Sequence, residues 1–446
     1  MIYFWNNYIK LTSLTLGGHV KVKIFTFVLF LLLAYSQIFA GGFQLNEHNA
    51  RAVAMGGAFT AISNDPSAIY YNGAGLTQMN GINITLGSTL IAPVFSFRGV
   101  TPAVTEYDAT KQSFFPTHFF ATYRYNEDWA FGLGFTSPFG LGSEWDPNWI
   151  GKYLAIETSL QVFTISPVVA YKINDQLSIS AGLVYSFANV KISQKSPLAL
   201  APGSPAPFNQ NAYTSLDGKD NSAWGYNLGI MYKPNEDLSF GASFHSIVKY
   251  TFKGTATTTG PSQFAALLPN GDVSANLTTP FNLAVGAAYR VIPKLLISAD
   301  FQYVGWSSYD TLTINFATPK KTVSSPRMYQ NSYIIRLGAE YNLMKELDVR
   351  AGIYFDKSPV KDEYISPSLP EANRLGFSVG AGYKISNNLR IDASYLFIRN
   401  NQVTVTNSRE DYTDGAVVPE GAPANSFDGT YNSYANLVSL DITYGF

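Results

Sequence analysis

The sequence predicts an all-β protein, a 14-stranded antiparallel transmembrane β-barrel with a small N-terminal helical hatch inside the lumen. Three observations predict it: an apolar but weakly charged composition, side chains that alternate along most of the chain, and a strict succession of short and long connections.

The composition excludes several classes at once. Of 446 residues, 46% are hydrophobic, 15% aromatic and only 14% charged, and there is no Cys. A soluble domain carries about a quarter charged residues. Mean hydropathy is nevertheless +0.01, because Ser, Thr, Asn, Gln and Gly separate the apolar residues. A helical membrane protein needs runs of ~20 apolar residues, whereas a membrane barrel needs alternation. The lack of Cys rules out thiolate metal sites and disulfides. A net charge of −1 offers no basic field for nucleic acid. No motif calls for a cofactor.

Residues 1–40 read as a targeting segment. Lys21 and Lys23 precede the apolar run Ile24 to Ala34, and Ala40 supplies a small residue for cleavage. The competing reading is an uncleaved anchor helix, for which the run is short. Translation is expected to start near Val20, which would make residues 1–19 an extension ahead of the true start.

Period-2 alternation then recurs. Leu295, Ile297, Ala299, Phe301 and Tyr303 interleave with Leu296, Ser298, Asp300 and Gln302. Ile335, Leu337, Ala339 and Tyr341 alternate with Arg336, Gly338, Glu340 and Asn342. Val438, Leu440, Ile442, Tyr444 and Phe446 alternate with Ser439, Asp441, Thr443 and Gly445. Any one such strand also suits a soluble sandwich. The turns decide between the two. Short polar turns stand at 126–128, 174–176, 234–237, 293–294, 344–346 and 386–388. Longer connections lie between them, near 98–113, 140–157, 193–222, 254–276, 317–330, 357–372 and 405–429. Outer-membrane barrels have short periplasmic turns and long external loops. Six turns and seven loops give an even strand count over residues 81–446, with both termini periplasmic. A closed barrel also pairs every backbone group in lipid.

Residues 41–80 do not alternate. They are rich in Gly and Ala, with turn signals at Asn64-Asp65-Pro66 and Asn72-Gly73-Ala74-Gly75. Phe43, Leu45, Val53, Met55, Phe59, Ile62 and Leu76 are too apolar for a disordered tail. A barrel of this size has a lumen that side chains alone do not fill. The segment is therefore assigned as a plug.

Gly42-Phe43-Gln44-Leu45-Asn46-Glu47, Ala50-Arg51-Ala52-Val53-Ala54-Met55-Gly56-Gly57-Ala58, Asn64-Asp65-Pro66-Ser67-Ala68, Gly132-Leu133-Gly134-Phe135-Thr136-Ser137-Pro138-Phe139-Gly140-Leu141 and Trp149-Ile150-Gly151-Lys152-Tyr153 follow in an order that resembles the FadL/TodX family of outer-membrane transporters. The likeness spans residues 41–446 and is strongest over 42–192. One departure is Asn72-Gly73-Ala74, where the family reads Asn-Pro-Ala.

The resemblance implies uptake of hydrophobic molecules across a Gram-negative outer membrane, with long-chain fatty acids as the first expectation and aromatic hydrocarbons as the alternative. It implies capture at external loops, a lumenal pocket, rearrangement of the hatch and lateral exit at a kinked third strand. Leu198, Leu200, Phe208, Phe264, Leu267 and Leu268 are the expected capture residues, and 264–268 is expected to form a helical turn. Phe43 is the expected lumenal latch. Lys191 or Lys195 is the candidate for a carboxylate, against the alternative of rim lysines. Asn72, Gly73 and Ala74 mark the hatch turn. His118, Ser137, Pro138 and Gly140 mark the lateral gate, since Pro removes a ladder donor. The implied partners are the hydrophobic substrate, outer-membrane lipid and lipopolysaccharide, and the barrel-assembly machinery, which Phe446 resembles a signal for. A monomer and no nucleic acid are implied.

Rival functions fare worse. Residues 41–446 contain His48, His118 and His245, none beside a Gly-x-Ser-x-Gly sequence. A general porin has charged constrictions and no apolar plug. A structural or adhesin barrel has no use for apolar loops and a gated wall.

Overall fold

The computed structural model describes residues 42–100, 104–198, 210–411 and 426–446. The predicted targeting segment, residues 1–40, lies outside them.

The sheet closes on itself with 14 strands. In chain order these are strand 1 (Ile82–Gly99), strand 2 (Thr117–Arg124), strand 3 (Trp129–Thr136 and Gly140–Glu144), strand 4 (Glu157–Lys172), strand 5 (Leu177–Pro197), strand 6 (Asn211–Tyr232) and strand 7 (Leu238–His245 and Lys249–Thr259). Strand 8 (Gly271–Thr278 and Asn282–Ile292), strand 9 (Leu295–Val304 and Thr311–Ala317), strand 10 (Lys320–Pro326 and Ser332–Asn342), strand 11 (Leu347–Asp356), strand 12 (Arg374–Lys384), strand 13 (Leu389–Asn400) and strand 14 (Gly429–Gly445) follow. Each pairs antiparallel with the next. Strand 1 meets strand 14 from Asn83 opposite Gly445 up to Gly99 opposite Gly429, which closes the barrel.

The alternation is inverted relative to a soluble sandwich. Apolar residues face outward: Ile297 is 42% exposed and Leu440 54%. Their polar neighbours face a buried interior: Asp300 is 4% exposed and Asp441 1%. Only a solvent that is itself apolar makes this arrangement stable. Tyr125, Trp129, Tyr232, Tyr289, Tyr383 and Tyr444 are exposed near the short-turn end, where an aromatic girdle belongs.

All six predicted short turns are present. Three long connections are shorter than the sequence suggests, 254–276 among them, since strand 7 runs to Thr259 and strand 8 starts at Gly271. Strands 5 and 6 run on to Pro197 and from Asn211, leaving 198–210 between them, and 317–330 is largely a hairpin of Thr311–Ala317 with Lys320–Pro326. Above the bilayer the outer face is wet. Residues such as Ser215, Asp217 and Lys219 therefore carry no apolar alternation to read.

Candidate functional site

The hatch fills the lower lumen and is held by wall residues that the alternation turns inward. Its helices are short: Ala50–Ala54, Ala68–Tyr71 and a 3-10 segment Gly73–Gln78. Asp441 on strand 14 accepts Asn49 Nδ2 at 2.7 Å and the Ala50 N–H at 3.0 Å, and its other oxygen bonds His118 Nε2 at 2.9 Å. Asp300 accepts the backbone N–H groups of Phe59 and Thr60 at 2.9 and 2.8 Å. Arg51 forks onto Glu340 at 2.8 and 2.9 Å. Such charge-assisted bonds contribute about 1.5–3 kcal/mol each. Asn72 donates to the Ile230 carbonyl at 3.0 Å, and its side-chain oxygen accepts the Ala74 N–H at 3.2 Å. Gly73 packs so tightly that a Cβ there would lie 2.8 Å from both Ser180 Oγ and Val168 Cγ1. A side chain at this position would make Ser180 and Val168 shift.

The chain ahead of the hatch rises through the lumen. Phe43 is buried at 5% exposure. Its ring packs edge-on against Trp306 at 4.8 Å, Tyr309 at 5.7 Å and Phe139 at 6.0 Å. Gly42 has φ +70°, a conformation glycine adopts without strain. Its N–H donates to Glu371 Oε2 at 3.0 Å, and its carbonyl accepts Arg374 Nη2 at 2.6 Å. Arg374 and Glu371 are themselves paired at 2.6 Å.

Strand 3 breaks where the sequence places Ser137 and Pro138. Its ladder to strand 2 ends at Phe119 opposite Phe135. Above that point a backbone hydrogen bond reappears only from Thr110 N–H to the Glu144 carbonyl at 2.7 Å. The ladder to strand 4 breaks after Thr136 and resumes at Gly140. The ascending hatch segment supplies partners instead. Leu45 N–H donates to the Pro138 carbonyl at 2.9 Å, and Gly140 N–H donates to the Phe43 carbonyl at 3.0 Å.

Two cavities meet at Phe43. The upper one, about 510 Å³, is walled by the external halves of strands 4 to 10, with Ile192, Leu216, Phe252, Leu277 and Phe316 among its lining. The lower one, about 260 Å³, lies at the strand 3 break and touches Phe115, Pro116, Ser137, Phe139, Gly140, Glu371 and Arg374. Phe115 is exposed outside the barrel, so this cavity reaches from the latch to the lipid face.

The expected site residues fall into groups. Phe43, Ser137 and Gly140 line the lower cavity, and Pro138 makes the break. His118 is fully buried against Asp441, and Pro116 and Phe115 border the opening in its place. Leu198, Phe264 and Leu268 pack together with Ala212, so the loops bind each other there, while Leu267 remains 73% exposed. The 3-10 helix Ser262–Leu267 supplies the expected turn. Leu200 and Phe208 lie outside the described residues.

The two lysines are a correction. Lys191 pairs with Glu157 at 2.7 Å and Lys195 donates to Asn148 at 2.9 Å. Neither lines the upper or the lower cavity. Strand 5 continues past 192, so Val190, Ile192 and Gln194 face the upper cavity and the odd-numbered lysines face away. The cation at the lower cavity is Arg374. Sequence reading missed it, together with Glu371, Trp306 and Tyr309, because all four stand where strands break or begin and carry no periodic signal. Among the described residues, no group of three His, Asp or Glu side chains is gathered as a metal site.

Comparison with known proteins agrees with this architecture. The model of the family described as outer membrane protein transport protein (OMPP1/FadL/TodX) matches residues 31–446. Outer membrane protein P1 of Haemophilus influenzae is 27% identical over 390 residues, 83% of each chain. A long-chain fatty acid transport protein of Escherichia coli is 27% identical over 450 residues, covering 93% of this chain and 96% of that one. Among solved structures, a Pseudomonas aeruginosa FadL homologue superposes with a TM-score of 0.80 at 24% identity, over 91% of this chain and all of that chain. The Pseudomonas putida toluene transporter TodX gives 0.72 at 18% identity, over 90% and 99%. With a matched family model, a closed barrel, an internal hatch and an apolar lumen, this chain belongs to the OMPP1/FadL/TodX family of outer-membrane channels for hydrophobic small molecules.

Proposed function

We propose that the channel admits uncharged or weakly polar hydrophobic molecules, aromatic hydrocarbons among them, by way of the Phe43 latch. External loops, with Leu267 exposed at their tip, gather the molecule into the upper cavity. It displaces the Phe43 ring from Trp306, Tyr309 and Phe139. The ascending segment shifts, its bonds to strand 3 part, and the molecule leaves sideways past Ser137 and Gly140 into lipid. Lateral exit suits the chemistry, because each CH₂ exposed to water costs about 0.8 kcal/mol.

The observation that carries the substrate class is the state of Arg374. It is the one cation lining the lower cavity among the described residues, and both Glu371 and the Gly42 carbonyl already occupy it. A carboxylate would have to break that pairing, whereas a hydrocarbon need only replace an aromatic ring. Long-chain fatty acids are the second reading. It is favoured by the latch itself, since withdrawal of Gly42 frees one of the guanidinium bonds.

The test is Phe43→Ala. Burying a Phe ring stabilises by roughly 1.5–3 kcal/mol, so its loss should raise the basal conductance of the barrel in planar bilayers and speed toluene uptake into cells. Heat-modifiable migration on gels should be unchanged. Unaltered conductance and uptake would remove Phe43 from the mechanism.

A further inference from the structure

Strands 7 to 10 are each interrupted as well, and one such discontinuity crosses the wall between strands 6 and 7, three strands along from strand 3. The ladder between strands 6 and 7 holds from Tyr232 opposite Phe240 to Asn227 opposite His245, and resumes only at Lys219 opposite Lys253. In between, Ser246 N–H donates to the Tyr226 carbonyl, and Ser246 Oγ accepts the Tyr226 N–H, both at 2.9 Å. Farther up, the Thr251 N–H donates to Asp220 Oδ2 at 2.6 Å. Side-chain oxygens here stand in for ladder acceptors.

The side chains confirm a break. Asn227 and His245 face the lumen, while Lys219 and Lys253 are exposed outside. An even spacing separates the members of each strand, and an unbroken strand would keep them on one face. Both strands therefore change phase at the same height. Strand 6 does so beside a register shift against strand 5, between Ser186 and Ala188. Unpaired backbone at membrane depth is tolerated where it lines a cavity.

A cavity lies on each side of this break. Inside, a space of about 90 Å³ runs from Gln44 and Phe139 at the latch, past Tyr70, to Tyr226, Ser246 and Tyr250. Outside, a lipid-facing recess is bounded by Trp224, Gly225, Tyr226, Phe244, Ser246 and Phe281. Tyr226 and Ser246 belong to both. The inner space thus touches the transport path at one end and the lipid-facing recess at the other.

We propose that the break between strands 6 and 7 is a second lateral passage, taken by compact aromatic hydrocarbons moving between the lumen and the lipid. The inner space is much smaller than the one at strand 3, which excludes long chains and admits single rings. Its aromatic walls offer edge and face contacts to a ring. The occupant is the transported molecule because the inner space shares Gln44 and Phe139 with the lower cavity beside the latch. The inference rests on the reading that aromatic hydrocarbons are substrates.

An engineered disulfide tests it in the full chain, which contains no other Cys. A Cβ built at Gly225 falls 2.9 Å from Ser246 Oγ, close to the separation a disulfide requires. In cells carrying the double variant Gly225→Cys/Ser246→Cys, oxidation should lower toluene uptake at least threefold, and a reductant should restore it. Palmitate uptake should stay within twofold in both states. The reduced form controls for folding, and Ser246→Trp should reproduce the oxidised phenotype. If the unstapled protein takes up toluene and the staple changes nothing, the second passage is wrong while the latch mechanism stands. If the unstapled protein takes up palmitate but no toluene, the substrate reading falls and the passage falls with it. If native mass spectrometry shows the staple displacing only a bound phospholipid, with uptake unchanged, the recess is an annular lipid site and the passage is refuted.

Discussion

The carbonyl of Phe43 accepts the backbone N–H of Gly140 at 3.0 Å, so the first residues of the hatch serve as a ladder partner for the broken third strand. Leu45 completes the bridge through the Pro138 carbonyl at 2.9 Å. One short segment therefore holds the latch ring in the lumen and caps the wall opening. A ligand that moves Phe43 also unpairs the backbone at the opening. Binding and opening are linked by covalent continuity over three residues.

The opening itself can be blocked without touching the latch. Ser137 lines the lower cavity at the break. Ser137→Arg should place a charged side chain in the lateral path and reduce uptake of hydrophobic substrate at least tenfold. Toluene binding by the purified protein, followed by quenching of intrinsic Trp fluorescence, should change less than twofold. Normal uptake by this variant would show that substrate leaves elsewhere. His118 is unsuitable for such a test, because changing it breaks its bond to Asp441.

Asp441 is predicted to be the main tether of the first hatch helix. Asp441→Ala removes the acceptor of Asn49, Ala50 and His118 together. Leaving such buried partners unsatisfied costs about 1–3 kcal/mol for each group. The barrel should still assemble, since strand 14 keeps its ladders to strands 1 and 13. Protease cleavage within residues 50–60 should appear, and bilayer conductance should rise. A variant as resistant and as closed as the parent would assign the tether to Asp300 and Glu340 instead.

The latch pair should set ligand charge preference. Burial pushes the Glu371 carboxyl above the usual carboxylate range, and the Arg374 guanidinium pulls it part of the way back. A raised folded value means that ionised Glu371 is disfavoured relative to the unfolded chain. Its cost to stability is present above the folded value and is relieved as pH falls through it. Glu371→Gln keeps an acceptor for Gly42 and removes the charge that occupies Arg374. Palmitate affinity should rise about tenfold, equivalent to ~1.4 kcal/mol, with toluene binding unchanged, as read by isothermal titration of the detergent-purified protein. Equal effects on both ligands would mean that Arg374 does not read ligand charge.

Much of this protein is determined by local pattern alone. Alternation such as Leu337-Gly338-Ala339-Glu340 fixes a two-faced strand, and the rhythm of short and long connections fixes an even barrel with its short turns on one side. Pro138 announces a strand break because it lacks an amide hydrogen. The apolar, non-alternating stretch at 41–80 announces a plug. These features are readable because each depends on residues a few positions apart.

The tertiary structure decided the rest. Which face of each strand points inward above the bilayer depends on register and bulges, so Lys191 and Lys195 face outward although they sit near the rim. The latch is built from Gly42, Phe43, Trp306, Tyr309, Glu371 and Arg374, brought from three distant segments by closure of the barrel. The break at Tyr226 and Ser246 has no proline to mark it and arises from strands 6 and 7 changing phase at the same height. Contacts of that kind are properties of the closed sheet, because only ring closure brings strands 1 and 14 together around one lumen and forces polar side chains hundreds of residues apart to satisfy each other there.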